Sequence, residues 1–166
     1  MAHPLVGEAM KKAAVGWLAI GDGPATAAWL TWIDDAAYVV HGGPEQPVPG
    51  LAEADACRVS VRGEHGGRIL TWRATVERVG PGTEAWDQVA PQLAAKRLNA
   101  TDPVGAPSRW ATDARISRLV PVGDPVEAGD SLPTGSGAAP PRETSAVTPT
   151  PVPRTFHRRR RDTTGA

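Results

Sequence analysis

The chain has one cysteine, Cys57, and no phenylalanine before position 156. A single thiol excludes an intramolecular disulfide, and with it a small secreted scaffold held by cross-links. His3, His41, His65 and His157 stand far apart, without the short ligand spacings of a zinc site. Glycine-rich phosphate loops and the Gly-x-Ser-x-Gly elbow are both missing, which removes the common nucleotide-binding and hydrolase signatures. No apolar run approaches the roughly 20 residues that span a bilayer. The lysines of MAHPLVGEAMKK come too late for a signal peptide, and Gly21-Asp22-Gly23 cuts short the apolar run after them; the expected location is the cytoplasm. Charge excess is absent too. There are 12 basic and 13 acidic residues before Gly123, and 6 and 5 from there on. That balance disfavours a nucleic-acid-binding domain.

What is present divides near Gly123. All six tryptophans and the only tyrosine precede Val122, enough large side chains for a modest core. Residues 123–166 carry Phe156 alone among aromatics and are rich in Pro, Ser, Thr and Gly. Such a segment cannot bury enough apolar surface to offset its ordering entropy. The expected organisation is a folded domain over 1–122 and a disordered tail over 123–166. The tail's Arg158 to Arg161 cluster reads as a non-specific, solubilising patch.

Within the domain, Leu5, Val6, Ala9, Met10 and Ala13 recur at helical spacing behind Pro4, predicting a helix from Pro4 to Ala14. Val15 to Ile20 and Ala25 to Ile33 read as two strands around a Gly21-Asp22-Gly23 turn, and Tyr38 to His41 as a third. Trp29 and Trp32 lie three positions apart, which on a regular strand puts them on opposite faces. Cys57 to Arg62 and Arg68 to Val79 alternate apolar and polar around a glycine-rich loop, the pattern of a half-exposed antiparallel pair. Cys57 reads as a small buried thiol. Thr83 is a candidate N-cap for a helix carrying Trp86, Val89, Ala90, Leu93 and Ala94 on one face, with Lys96 and Arg97 in its last turn and Asn99 as its stop. Pro91 falls inside that helix, predicting a bend or a later start. Ala100 to Ser108 reads as a loop and Arg109 to Val122 as a last strand.

The sum is a mainly β (α+β) fold of six strands and two helices. Its order, a short helix, a hairpin, a third strand, an arm, a long hairpin, a helix and a closing strand, resembles the flavin-binding split β-barrel family of pyridoxamine 5'-phosphate oxidases and deazaflavin-dependent reductases. The local phrases that carry the resemblance are AAWLTWIDDAAYVVHGG before the arm and LAEADACRVSVRG after it. It covers roughly Leu5 to Val122 and implies a six-stranded antiparallel split β-barrel and a homodimer. It also implies FMN or a deazaflavin coenzyme in a cleft between subunits, and oxidoreductase chemistry carried by that ring.

The resemblance places the cofactor against Trp32, His41 and Gln46 around the arm, and further phosphate contacts on the following strands, at Arg58, Arg62, Arg68 and Arg73, with Lys96 and Arg97 at the end of the late helix as other cations that could substitute. The same arginines also read as outward charges of half-exposed strands. The chain departs from the family at the arm, where Glu45 to Leu51 holds no Lys or Arg and Pro47 and Pro49 lack N–H groups. A phosphate dianion wants charge-assisted donors or free backbone N–H groups. The alternative is a non-catalytic barrel that has lost phosphate binding and serves as a binding or interaction module. No residue stands out as catalytic.

Overall fold

The structure, a computed structural model, describes residues 2–63, 67–97 and 102–132, the last without the side chain of Asp130. Most of the expected tail, with Arg158 to Arg161, lies outside the described residues, as does the helix stop expected at Asn99.

Helix α1 (Pro4–Lys12) starts with Pro4 in its first turn and with the His3 ring accepting a hydrogen bond from the Leu5 N–H at 3.2 Å. Its stripe buries Val6 and Met10. The helix ends two residues before the expected Ala14, because Ala13 turns extended and the Ala14 carbonyl instead accepts the Leu30 N–H at 3.0 Å. Strand β1 (Val15–Ala19) pairs antiparallel with β2 (Thr26–Trp29).

The run expected as one strand over Ala25 to Ile33 is two, β2 and β3 (Thr31–Ile33). The described residues therefore form seven strands, not six. The break is at Leu30, whose buried side chain packs over Gly16; a Cβ on Gly16 would sit 2.6 Å from Leu30 Cδ2. Past this bend the chain leaves β1, and β3 pairs with β4 (Ala36–His41) through a turn in which Asp34 and Asp35 both have positive φ.

Strands β5 (Ala56–Arg62) and β6 (Arg68–Val79) alternate as expected. Cys57, Val59, Val61, Trp72, Ala74 and Val76 are buried, while Arg58, Arg62, Arg73, Thr75 and Glu77 are exposed. Helix α2 (Glu84–Ala95) is capped by Thr83, whose hydroxyl accepts the Trp86 N–H at 3.2 Å. It runs through Pro91, which sits on the exposed side, where the carbonyl it leaves without an intrahelical partner can meet water. Lys96 caps the helix and Arg97 follows it, so neither lies in the last turn.

The last segment differs most from expectation. Residues 106–113, read as loop and strand, form helix α3 (Ala106–Asp113), with Pro107 in its first turn and Ala106 and Trp110, four apart, buried on one face. The strand that follows, β7 (Arg115–Ala128), continues six residues past Val122. It pairs with β4 only as far as Leu119 but with β6 as far as Ala128. Pro121 and Pro125 therefore fall where β7 has a free edge, which tolerates a missing N–H.

The sheet order is β2-β1-β5-β6-β7-β4-β3. Its two end strands are consecutive in the chain through Leu30, so the sheet curls on itself into a barrel. One core fills the interior, from Val6 and Met10 of α1 to Leu18, Val39, Val59, Leu70 and Trp72. The other lies between α2, α3 and the outer side of β4 and β7, with Tyr38, Val40, Trp86, Leu93, Trp110 and Ile116. Every residue of β4 is buried, which explains its unbroken apolar run.

Candidate functional site

The arm after β4 is built from backbone constraints first. Gly43 has φ +56, and a Cβ there would lie 1.8 Å from the Asp113 carbonyl oxygen. Only glycine lets the arm lie against the end of α3 in this way. Val48 and Leu51 then pin the arm into the barrel core.

Gln46 closes the seam between β2 and β4. Its Oε1 accepts the Trp29 N–H at 2.7 Å, and its Nε2 donates to the Trp29 carbonyl at 2.8 Å and to the Val40 carbonyl at 3.0 Å. The side chain stands where a neighbouring strand would. Its amide, expected beside the cofactor, is engaged with backbone.

Glu45 meets the second core. One carboxylate oxygen accepts the Trp110 indole N–H at 2.8 Å and the other pairs with Arg97. The Arg97 guanidinium also lies 5.5 Å from the centroid of the Trp29 ring. Folding thus brings a cation to an arm that has none in sequence, and the arm's own glutamate neutralises it. With Pro44, Pro47 and Pro49 lacking N–H groups and the Gly42 and Glu45 N–H groups bonded within the arm, this segment does not fit a phosphate.

Beside the seam lies a cleft of about 480 Å³. Trp29, Thr31 and Trp32 of the bent strand line one side, and Lys11, Lys12 and Lys96 come from the ends of α1 and α2. The bend at Leu30 brings both tryptophans to one cleft, where a regular strand would separate them. Trp32 is held edge-on against buried Trp72, with ring centroids 6.3 Å apart at 85°. Lys11 is paired with Glu8 at 2.8 Å. Lys12 and Lys96 form no hydrogen bond or ion pair with a side chain among the described residues, Lys12 acting on Glu8 more weakly than Lys11 does. Aromatic walls with two uncommitted ammonium groups fit a planar ring that carries an anionic group.

The other residues expected at the site fall into two places. His41 lines a separate cavity of about 470 Å³ under the arm, with Gly43, Pro47, Asp113 and Arg115. Its ring Nε2 shares a 2.9 Å hydrogen bond with Ser117 Oγ, and burial first, then Arg115, hold its pKa below the ordinary imidazole value against the opposing pull of Glu53. Arg58, Arg62 and Arg73 lie on the outward side of β5 and β6. Arg58 stands directly opposite Arg73, with a long contact to the Gly21 carbonyl at 3.4 Å, and Arg62 lies 4.6 Å over the Trp17 ring. None of the three lines the tryptophan cleft. Lys12, which does, figures in the sequence reading only as one of the lysines too late for a signal peptide. Among the described residues, no group of three His, Cys, Asp or Glu side chains could hold a metal ion, and no helix is long and apolar enough to cross a membrane.

No protein-family model matches the chain, and no curated sequence does. Solved structures do. The heme storage protein HutZ from Vibrio cholerae matches at 16% identity, over 75% of this chain and 94% of that one, with a TM-score of 0.53. A structure described as an F420 reductase matches at 19% identity, over 74% and 97%, with a TM-score of 0.51. A putative pyridoxamine 5'-phosphate oxidase from Listeria innocua matches at 13% identity, over 70% and 90%, with a TM-score of 0.49. At such identities the shared property is the fold: the chain has the split β-barrel fold of HutZ and of the F420 reductase structure.

Proposed function

We propose that this chain binds a flavin-type anionic chromophore, FMN or a deazaflavin coenzyme, in the cleft between Trp29 and Trp32, and works as an oxidoreductase through it. The observation that carries this reading is the pairing of two tryptophan walls with the uncommitted Lys12 and Lys96 in one cleft of about 480 Å³. Within the split-barrel fold, phosphate contact moves from the arm to these lysines. Bound there, the ring would accept or deliver a hydride. The chain's own part is to flank the ring with indoles, limit water through Thr31 and buried Leu30, and set the phosphate against two ammonium groups.

A homodimer belongs to this reading. Val15, Ile69 and Val122 are exposed apolar side chains, and Ile69 shares the outward side of β6 with Arg73. The cytoplasm is the matching location. The second reading, a barrel that retained the fold without the cofactor, is favoured by Glu45 taking Arg97 for itself.

One titration separates the two. FMN, riboflavin and a deazaflavin coenzyme are added to the full chain, and tryptophan fluorescence and the visible spectrum are followed. The expected result is saturable quenching by FMN or the deazaflavin, weaker by about tenfold for riboflavin and for the Lys12→Gln/Lys96→Gln protein, the loss of one or two charge-assisted contacts. No quenching by any of the three leaves the second reading standing.

A further inference from the structure

A third cavity, of about 220 Å³, opens where the end of β6, the start of α2 and the start of β7 meet. It shares no residue with the tryptophan cleft, so a ligand seated in it is independent of the cofactor proposed there. Its floor is apolar: Val79, Trp86 and Ile116 line it and are 7%, 6% and 1% exposed. Its polar lining is Arg78, Arg115 and Ser117, and no acidic side chain contributes. A hydrophobic floor under two cations is costly to leave to water alone and suits an amphiphilic anion.

The cations are held but not used up. Arg78 Nε donates to the Ala52 carbonyl at 2.8 Å, which orients the guanidinium and leaves its two terminal nitrogens without a partner among the described residues. Among the described residues Arg115 pairs only with Glu53, at 3.5 Å, with the two side chains 65% and 77% exposed. Such a pair is weak and gives way readily to a better acceptor. Ser117 is 1% exposed, and its hydroxyl shares a hydrogen bond with the His41 ring. A hydroxyl has one proton and two lone pairs. When His41 Nε2 donates, the Ser117 proton is left for an acceptor in the cavity.

We propose that this cavity is a binding site for a small apolar monocarboxylate, with its hydrocarbon on Trp86 and Ile116 and its carboxylate between Arg78 and Arg115. A guanidinium matches a carboxylate with two parallel N–H donors. The cavity is smaller than the about 300–1,000 Å³ that drug-sized ligands fill, which limits the ligand to a single ring or a short chain. A sugar phosphate would waste the apolar floor.

Benzoate, hexanoate and the neutral analogue benzamide are titrated into the full chain by calorimetry, and the site is located by ¹⁹F NMR of protein carrying 5-fluorotryptophan. Benzoate should bind saturably and move the Trp86 resonance, identified by its loss in Trp86→Phe. Benzamide should bind at least about tenfold more weakly, for want of the charge-assisted pair. Arg115→Gln changes an exposed side chain, so it leaves the fold intact and should weaken benzoate binding several-fold without affecting benzamide. Should Trp86→Phe fail to fold, the resonance moved by benzoate in the parent and not in Arg115→Gln identifies the site. Equal binding of benzoate and benzamide, no binding of benzoate at millimolar concentration, or unchanged benzoate affinity in Arg115→Gln would each overturn the proposal.

Discussion

Gln46 is a side chain that takes the place of a strand. Its amide satisfies the N–H and C=O of Trp29 at one edge of the barrel and the carbonyl of Val40 at the other. Gln46→Leu keeps the volume and removes all three bonds, leaving part-buried backbone groups unpaired at about 1–3 kcal/mol for such a group. Urea unfolding should show a loss of about 2–3 kcal/mol; a loss within about 0.5 kcal/mol would mean that water replaces the amide. His41 gives a pH dependence. Its pKa is lowered from 6.5 in the fold, chiefly by burial, so the unfolded chain holds the extra proton just below that value and the folded chain does not. Stability is therefore complete above about pH 6.5 and declines as pH falls toward the lower folded value. The urea midpoint should drop between pH 7.5 and 5.5, and His41→Asn should lose most of that slope. Neither role is visible in sequence. The resemblance places Gln46 and His41 beside a cofactor, and the partners of both side chains, apart from Val40, lie 17 and 76 positions away.

Elements are set by local chemistry wherever one face is buried and the other wet. The alternation of β5 and β6, the Thr83 cap and the stripe of α2 all follow that rule, and all are legible in sequence. Helix α3 is not, because eight residues with two buried side chains give too short a period to separate helix from loop. The β3–β4 turn strains its residues: Asp34 and Asp35 adopt φ of 45° and 59°, a two-residue turn that favours Asn-Gly. Asp34→Asn/Asp35→Gly should raise stability by about 1 kcal/mol, seen as a higher melting temperature; a lower one would show that the aspartates serve the fold by other means. Gly43 works in the opposite direction. Gly43→Ala cannot keep the arm against Asp113, and limited proteolysis should cut near the arm in this variant while leaving the parent intact.

At the scale of the whole molecule, the barrel interior controls its one thiol. Cys57 is buried and its pKa is pushed up to about 12 by desolvation. An alkylating reagent should modify it only when the barrel opens, at a rate that tracks global unfolding; fast labelling of the native protein would show local opening around β5. Closure of the barrel also assembles the candidate sites. It brings Lys12 and Lys96 to one cleft, gives Arg97 to Glu45, and brings Arg78 and Arg115 to one cavity with an apolar floor. From its sequence alone this chain determined its first strand, the β5–β6 hairpin, its capped helix and the absence of a cation in the arm, because periodicity and turn chemistry act over a few residues. The bend at Leu30, the seam held by Gln46, and which charges are spent and which stay available were decided only by the tertiary structure. Periodicity reports which face is buried, whereas the partner on that face is chosen by how the sheet closes.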